Sequence, residues 1–263
     1  PLRSSVAAHR FCAAALSSDR VLRQRERQRA DRDRLVPVRA GGLLAALAHL
    51  DACKGLGFEC YWYDAYYGKD DFPTVGNYVL PLERGFNTAW FPNLLKPIAE
   101  AVHNNGMDFL LWFEPERICP GTLMAKEHPE WVVLPDGGGW GMFNLAIPEA
   151  REYITGYIEG MIREYGLKWV RIDNAVSYTP LWAKLDAAAG PDRVGIAEIR
   201  YVEGLYRWWD DLRAAHPEIA IDNSSLYGQA RDRSMQLALT FSCPSSNHLI
   251  ETLPVNEVFF TLV

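Results

Sequence analysis

The feature of this sequence that most constrains its fold is an alternation of helix-like and strand-like segments from about residue 43 onwards. Residues 43 to 56 have helical periodicity, and a short aromatic strand is predicted at 58 to 63. The same order recurs three times, and the further helix and strand pairs are 93–105 with 107–113, 148–165 with 167–172, and 197–216 with 219–222. Apolar strands alternating with helices are typical of parallel strands buried on both faces. The chain is therefore predicted to be an α/β protein.

Acidic and amide side chains occur where each predicted strand ends. They are Asp64, Glu114, Glu116, Asp173, Asn174, Asp222 and Asn223. In a (β/α)8 TIM barrel the carboxyl ends of all strands open onto one face, so such side chains converge on one pocket. A doubly wound nucleotide fold instead has a glycine-rich turn after its first strand, whereas Gly55 and Gly57 precede the strand here. The barrel is the predicted fold.

Composition excludes several classes of function. The 263 residues are 49% hydrophobic, enough to bury one sizeable core, and the net charge is −6. This net charge argues against the basic face that nucleic-acid binding normally requires and against an electrostatic membrane anchor. The sequence contains no apolar run of the length that a membrane-spanning helix requires. We therefore expect neither nucleic acid nor membrane as a partner.

Cysteine and histidine spacing gives no support for a metal site. The five cysteines form no CxxC pair, and the six histidines form neither HxH nor HExxH. We expect no metal and no organic cofactor. An odd number of scattered cysteines also favours a reducing compartment, so a cytoplasmic location is predicted.

The two ends of the chain lack the repeating pattern. We divide the sequence into an arginine-rich segment at 1–42, a partial TIM-barrel catalytic domain at 43–233, and an unassigned tail at 234–263. Four strand and helix units are half of a barrel, so the barrel is expected to be incomplete in this chain. An open barrel exposes strand edges, which favours aggregation or association into a homo-oligomer.

Several motifs in sequence order carry a resemblance to a known family. The string WFEPER at 112–117 and the string KEHPEW at 126–131 resemble the bacterial α-galactosidases of glycoside hydrolase family 36. The strings YDAYYG at 63–68, FPNLLKPI at 91–98 and VRIDN at 170–174 resemble that family's DAGWYG, FPNGLKPLA and YRQDFN. The likeness extends over about residues 43 to 225. It implies a retaining glycosidase on a barrel scaffold, acting on terminal α-galactosides of small oligosaccharides.

Asp173 is the predicted nucleophile. Hydrolysis of a glycoside with retention requires two carboxyl groups about 5 to 5.5 Å apart, one to attack the anomeric carbon and one to protonate the leaving oxygen. Asp173 ends an apolar strand, where its carboxylate would lie at the barrel mouth and be kept ionised by Arg171 and by amide donors. The alternative from the residues alone is a helix N-cap.

Asp232 is the predicted acid/base. The resemblance implies this role because Asp232 follows Asn223 at the family's spacing of nine positions. The residues between them differ from the family pattern DNCASGGRRID. An aspartate on the surface between Arg231 and Arg233 is the alternative.

Five side chains are predicted to bind the sugar. The resemblance implies that Asp64 accepts hydrogen bonds from two sugar hydroxyls, while Trp112 and Tyr66 stack on the apolar C–H face. Arg171 would donate to ring hydroxyls, and Asn223 would bind the 2-hydroxyl or orient the acid. Core packing for the two aromatics and a plain turn for Asn223 are the alternatives.

Three other readings of the function stay open at this point. Two of them share the fold and are an α-N-acetylgalactosaminidase and a transglycosylase resembling raffinose synthase. They stay open because the sequence does not give the size of the pocket near the 2-position of the sugar. The third is a non-catalytic barrel remnant that binds carbohydrate, suggested by the altered segment at 226–231. Glu114 and Glu116 are interpreted as supporting residues, and the glycine run at 137–139 as a loop over the barrel mouth.

Overall fold

The computed structural model describes residues 11–13, 42–174, 176–225 and 241–243. The strands in these ranges are β1 (Phe11–Ala13), β2 (Cys60–Tyr63), β3 (Asp108–Phe113), β4 (Arg117–Ile118), β5 (Val132–Val133), β6 (Gly141–Phe143), β7 (Trp169–Asn174), β8 (Ala220–Ser225) and β9 (Phe241–Cys243). The helices are α1 (Leu43–Cys53), α2 (Lys96–Asn104), α3 (Leu123–Glu127), α4 (Pro148–Tyr165), α5 (Thr179–Ala189) and α6 (Ile196–Ala215).

Six strands form one parallel sheet in the order β1-β2-β3-β7-β8-β9. Their spatial order is the same as their order along the chain. A doubly wound sheet reverses its strand order at a switch point, and no reversal occurs among the described strands. The sheet therefore follows the sequential winding of a barrel, as predicted.

The helix before β7 illustrates how local sequence sets the elements. Helix α4 begins at Pro148, a residue whose fixed φ suits the first turn, and ends at Gly166, which adopts a left-handed φ of 58°. Its buried residues recur at helical spacing and include Ile154, Ile158 and Ile162. This apolar stripe packs against the sheet, because only one side of the helix can leave water.

The two faces of the sheet have different surroundings. Side chains alternate along each strand, so Phe109, Leu111 and Phe113 of β3 lie on the face that packs against the helices. Leu110 and Trp112 belong to smaller clusters on the opposite face. Asp64, Arg171, Asp173 and Asp222 also lie on this second face, which is the inner face of a barrel.

A small antiparallel sheet with the order β4-β6-β5 lies between β3 and α4. Gly141 begins β6 where the chain passes very close to β5. A Cβ atom at Gly141 would lie 2.7 Å from the carbonyl oxygen of Val133 and 2.5 Å from Leu134 Cδ2. Only glycine allows this approach, which positions the preceding residue, Trp140.

The observed elements extend the sequence predictions in several places. The structure places β1 within 1–42 and β9 within 234–263, where no strand was predicted, and it adds helix α5 after β7. Strand β7 also continues to Asn174, so Asp173 lies inside the strand and not after it. Edge strands of three residues are too short to show a periodic pattern, and their pairing is decided by distant neighbours. The proposed domain boundaries remain a prediction.

Candidate active site

Four side chains form a row across the carboxyl end of the sheet. Trp112 pairs in register with Arg171, and Arg171 pairs with Asp222. Asp64 directly follows Tyr63, the last residue of β2, and so continues the row beside Trp112. Because side chains two residues apart share a face, these four lie opposite the helix-facing core. The structure thus brings Asp64, Trp112 and Arg171 together, as the sequence predicted.

Asp173 lies one level nearer the strand end than this row. Its Oδ2 accepts a hydrogen bond of 3.0 Å from the indole Nε1 of Trp112, and its Oδ1 accepts one of 2.8 Å from the backbone N–H of Asn174. Two donors on different atoms fix the orientation of the carboxylate. A carboxylate that is already oriented needs little rearrangement to act as a nucleophile.

Arg171 contacts a carboxylate for which the sequence predicted no such role. Its guanidinium forms an ion pair with Asp222, a largely buried residue of the neighbouring strand, and lies 4.2 Å from the ring centroid of Trp62. The register sets Asp222 directly opposite Arg171. That Arg171 keeps Asp173 charged stays a prediction. Burial raises the pKa of Asp222, the charge of Arg171 opposes that rise, and Asp173 adds to it.

Asp64 is partly buried, and its Oδ1 accepts a hydrogen bond of 2.8 Å from the backbone N–H of Ala65. Burial raises the pKa of Asp64 to about 6, against the lowering effects of Ala65 N–H and Arg171, while the charge of Asp173 adds to the rise. A carboxylate with little solvent is a strong acceptor for sugar hydroxyls when ionised.

Asn223 is the predicted site residue that the structure does not bring to this face. It is buried and shares its side of β8 with Ile221, whose side chain belongs to the helix-facing core. Strand alternation therefore directs Asn223 away from the row that contains Asp222. The predicted contact with the 2-hydroxyl is corrected for that reason. Asp232, the predicted acid/base, lies outside the described residues.

Glu114 and Glu116 are both buried and both take part in contacts that join elements. Glu114 forms an ion pair of 2.5 Å with Arg117, and the Tyr201 hydroxyl donates a hydrogen bond of 2.5 Å to Glu116. The second contact connects the β3–β4 turn to helix α6. This geometry matches the supporting role predicted from the sequence.

Tyr66 and Phe72 border the site on its solvent side. The Tyr66 ring lies 5.9 Å from that of Phe72, which in turn lies 6.0 Å from Trp112. Sequence reasoning named Tyr66 and Trp112 but missed Trp62, Phe72 and the ion-pair role of Asp222. The role of Asp222 could have been predicted, because it is an acidic residue at the end of a predicted strand. Trp62 and Phe72 could not, because their sequence context is that of ordinary core residues. Within the described ranges, no group of three metal-binding side chains occurs.

The raised pKa of Asp64 gives a prediction for stability. The pKa of an aspartate in the unfolded chain is near 3.9, so the folded state binds the proton of Asp64 more tightly than the unfolded state does. The free energy of unfolding therefore falls as pH rises from about 4 to 6. Asp64→Asn removes this penalty and is expected to raise the free energy of unfolding at pH 8 by roughly 1–3 kcal/mol. The gain should vanish near pH 4. Urea unfolding at both pH values measures it.

The control for this measurement is Asp71→Asn, which neutralises an exposed carboxylate in the same loop. It is expected to change stability little at either pH. A loss of stability at pH 8 in Asp64→Asn would contradict the account of a desolvated carboxylate.

Comparison with known proteins identifies relatives of this chain. The family model described as Melibiase matches residues 44–254. Alpha-galactosidase AgaA of Geobacillus stearothermophilus is 27% identical over 192 residues, covering 70% of this chain and 25% of that protein. An alpha-galactosidase of Escherichia coli is 34% identical over 144 residues, which is 52% of this chain and 19% of that protein.

Solved structures of similar proteins agree in fold. The alpha-galactosidase from Lactobacillus brevis superposes with a TM-score of 0.64 at 22% identity, over 76% of this chain and 27% of that one. A variant of AgaA in complex with raffinose gives a TM-score of 0.64 at 23% identity, over 76% of this chain and 28% of that one. The chain spans a quarter or less of the length of the curated relatives that it matches.

Proposed function

Because this chain belongs to the melibiase family, we propose that it forms the catalytic part of a retaining glycosidase that cleaves terminal α-galactosides from oligosaccharides. The observation that carries the proposal is the position of Asp173. Its carboxylate lies at the carboxyl end of β7, oriented by Trp112 and Asn174, beside a row that contains Asp64. A carboxylate held in this way on the inner face of a barrel is suited to attack a sugar bound at the barrel mouth.

In the proposed reaction, an oxygen of Asp173 attacks the anomeric carbon of the galactosyl unit from the face opposite the leaving group. The bond from this carbon to the glycosidic oxygen breaks through an oxocarbenium-like transition state, and a covalent β-galactosyl ester forms. Water then attacks the same carbon, releases Asp173 and restores the α configuration. The hydrogen bond from Trp112 Nε1 leaves Asp173 Oδ2 fixed in direction, so little reorganisation is needed.

Asp232 is proposed to give its proton to the leaving oxygen and then to accept a proton from the attacking water. Support for this role comes from the family spacing after Asn223. The two steps need one group that is first acid and then base, as microscopic reversibility requires.

Substrate recognition is assigned to the row across the sheet. Asp64 would accept from the hydroxyls that distinguish galactose, and Trp112 and Tyr66 would contact its apolar face. Arg171 would donate to ring hydroxyls from its position between Trp62 and Asp222. Residues 43–233 are proposed as the catalytic unit.

The proposal extends to substrate and location. A relative was solved with raffinose and another structure of that relative with stachyose, so α-galactosyl oligosaccharides are the proposed substrates here. A cytoplasmic location is also proposed. Across the described ranges, every helix is too short or too polar to cross a membrane.

Product stereochemistry tests the function. Proton NMR of the full chain acting on p-nitrophenyl α-galactoside should show α-galactose as the first product, before mutarotation. First formation of the β-anomer would refute the double displacement. Release of no galactose at all, or transfer of galactose to another sugar in place of water, would refute the hydrolase.

A further inference from the structure

A group of side chains outside the row extends from Trp112 towards solvent. The Phe72 ring lies 6.0 Å from that of Trp112 at an angle of 84°. The guanidinium carbon of Arg117 lies 5.7 Å from the centroid of Phe72 and 4.5 Å from that of Trp140. We name Phe72, Arg117 and Trp140 the aromatic shelf.

The shelf combines a buried cation with exposed rings. Arg117 is only 2% exposed, and its charge is compensated by the carboxylate of Glu114. Trp140 and Phe72 are 49% and 41% exposed. A guanidinium over an aromatic face is attracted to the ring electrons, and more strongly so when it is desolvated. Arg117 therefore holds both rings in place while they remain open to solvent.

The backbone that carries Trp140 is also fixed. Lys184 Nζ in α5 donates hydrogen bonds of 2.9 Å to the carbonyl oxygen of Leu134 and of 2.5 Å to Asp136. On the other side of the loop, Gly141 is in close contact with β5. These contacts hold the two ends of the loop, which limits the ordering that Trp140 requires when a ligand binds.

We propose that the aromatic shelf binds the leaving-group sugar of an α-galactosyl oligosaccharide, the ring on the far side of the scissile bond from the galactosyl unit. This inference rests on the proposed function and adds the part of the substrate that the row does not contact. Sugar rings have apolar C–H faces that stack on aromatic rings, and a fixed, half-exposed aromatic surface provides such a face.

The position of the shelf supports this assignment. It begins at Phe72, in contact with Trp112, whose indole N–H binds Asp173. Phe72 and Arg117 follow the carboxyl ends of β2 and β3 along the chain, so the shelf continues outward from Trp112 at the end of the sheet where Asp173 lies. A substrate with a second sugar can contact both surfaces, whereas free galactose can contact only the row.

The test is isothermal titration calorimetry of the full chain with raffinose and with galactose, with every variant made in the inactive Asp173→Asn background so that raffinose is bound and not hydrolysed. The Asp173→Asn chain should bind raffinose more tightly than galactose. Trp140→Ala is expected to weaken raffinose binding about tenfold, equivalent to ~1.4 kcal/mol, and to change galactose binding less than about twofold. Trp140→Phe keeps a ring and should retain most of the affinity. Ile199→Ala, which removes a 55% exposed apolar side chain from α6, is the control and should change neither.

Three outcomes would overturn the shelf. They are failure of the Asp173→Asn chain to bind raffinose, equal weakening for both sugars when Trp140→Ala is added, and unchanged raffinose affinity when either Trp140→Ala or Phe72→Ala is added. The hydrolysis assay is independent of these measurements. If Trp140→Ala weakens raffinose binding selectively but the wild-type chain releases no galactose, the proposed function is refuted and the shelf is supported. If the wild-type chain releases galactose but Trp140→Ala leaves raffinose binding unchanged, the shelf is refuted and the proposed function is supported.

Discussion

Asp173→Gly is expected to lower kcat on p-nitrophenyl α-galactoside by at least about a thousandfold, because the proposed covalent ester forms on the carboxylate of Asp173. Sodium azide should restore part of the release of p-nitrophenolate, since the small anion enters the space left by the carboxylate. Azide attacks the anomeric carbon, p-nitrophenolate leaves, and the product is β-galactosyl azide. Absorbance measures the rate, and NMR identifies the azide.

The matched control is Asp173→Asn, which keeps the volume and can still accept from Trp112 Nε1. It should be equally inactive but should not respond to azide, because no space is vacated. Near wild-type turnover in Asp173→Gly would remove Asp173 from the reaction. Formation of the α-configured azide would show that attack does not come from the side that Asp173 occupies.

Glu114→Ala is expected to lower the free energy of unfolding by about 3–5 kcal/mol, because it leaves the buried Arg117 without its carboxylate. The two side chains are 1% and 3% exposed and lie 2.5 Å apart. An uncompensated buried charge costs far more than the pair itself contributes. Urea unfolding followed by circular dichroism measures the loss.

Two controls accompany this prediction. Asp51→Ala breaks the ion pair with Lys54, whose side chains are 70% and 55% exposed, and should cost no more than about 1 kcal/mol. Removing both charges in Glu114→Leu with Arg117→Met should recover much of the stability, since neither charge then remains buried. Equal losses for Glu114→Ala and Asp51→Ala would show that burial does not control the effect.

The sequence carried most of the information about the fold. The family and the solved structures confirm the barrel, and β2, β3, β7 and β8 occur where strands were predicted. Helix α4 was bounded correctly because Pro148 and Gly166 act through local backbone geometry. The edge strands β1 and β9 were missed because their formation depends on pairing with distant strands.

The active site likewise has features that the sequence predicted and features that depend on distant pairing. The sequence by itself determined that Asp64 and Asp173 would lie at strand ends on one face, since strand period and parallel connectivity are enough for that. Only the tertiary structure decided that Arg171 pairs with Asp222, that Trp112 donates to Asp173, and that Asn223 faces the helices. Those contacts depend on the register between strands and on burial, which arise from residues far apart in the chain. A single sequence does not encode them in any local pattern.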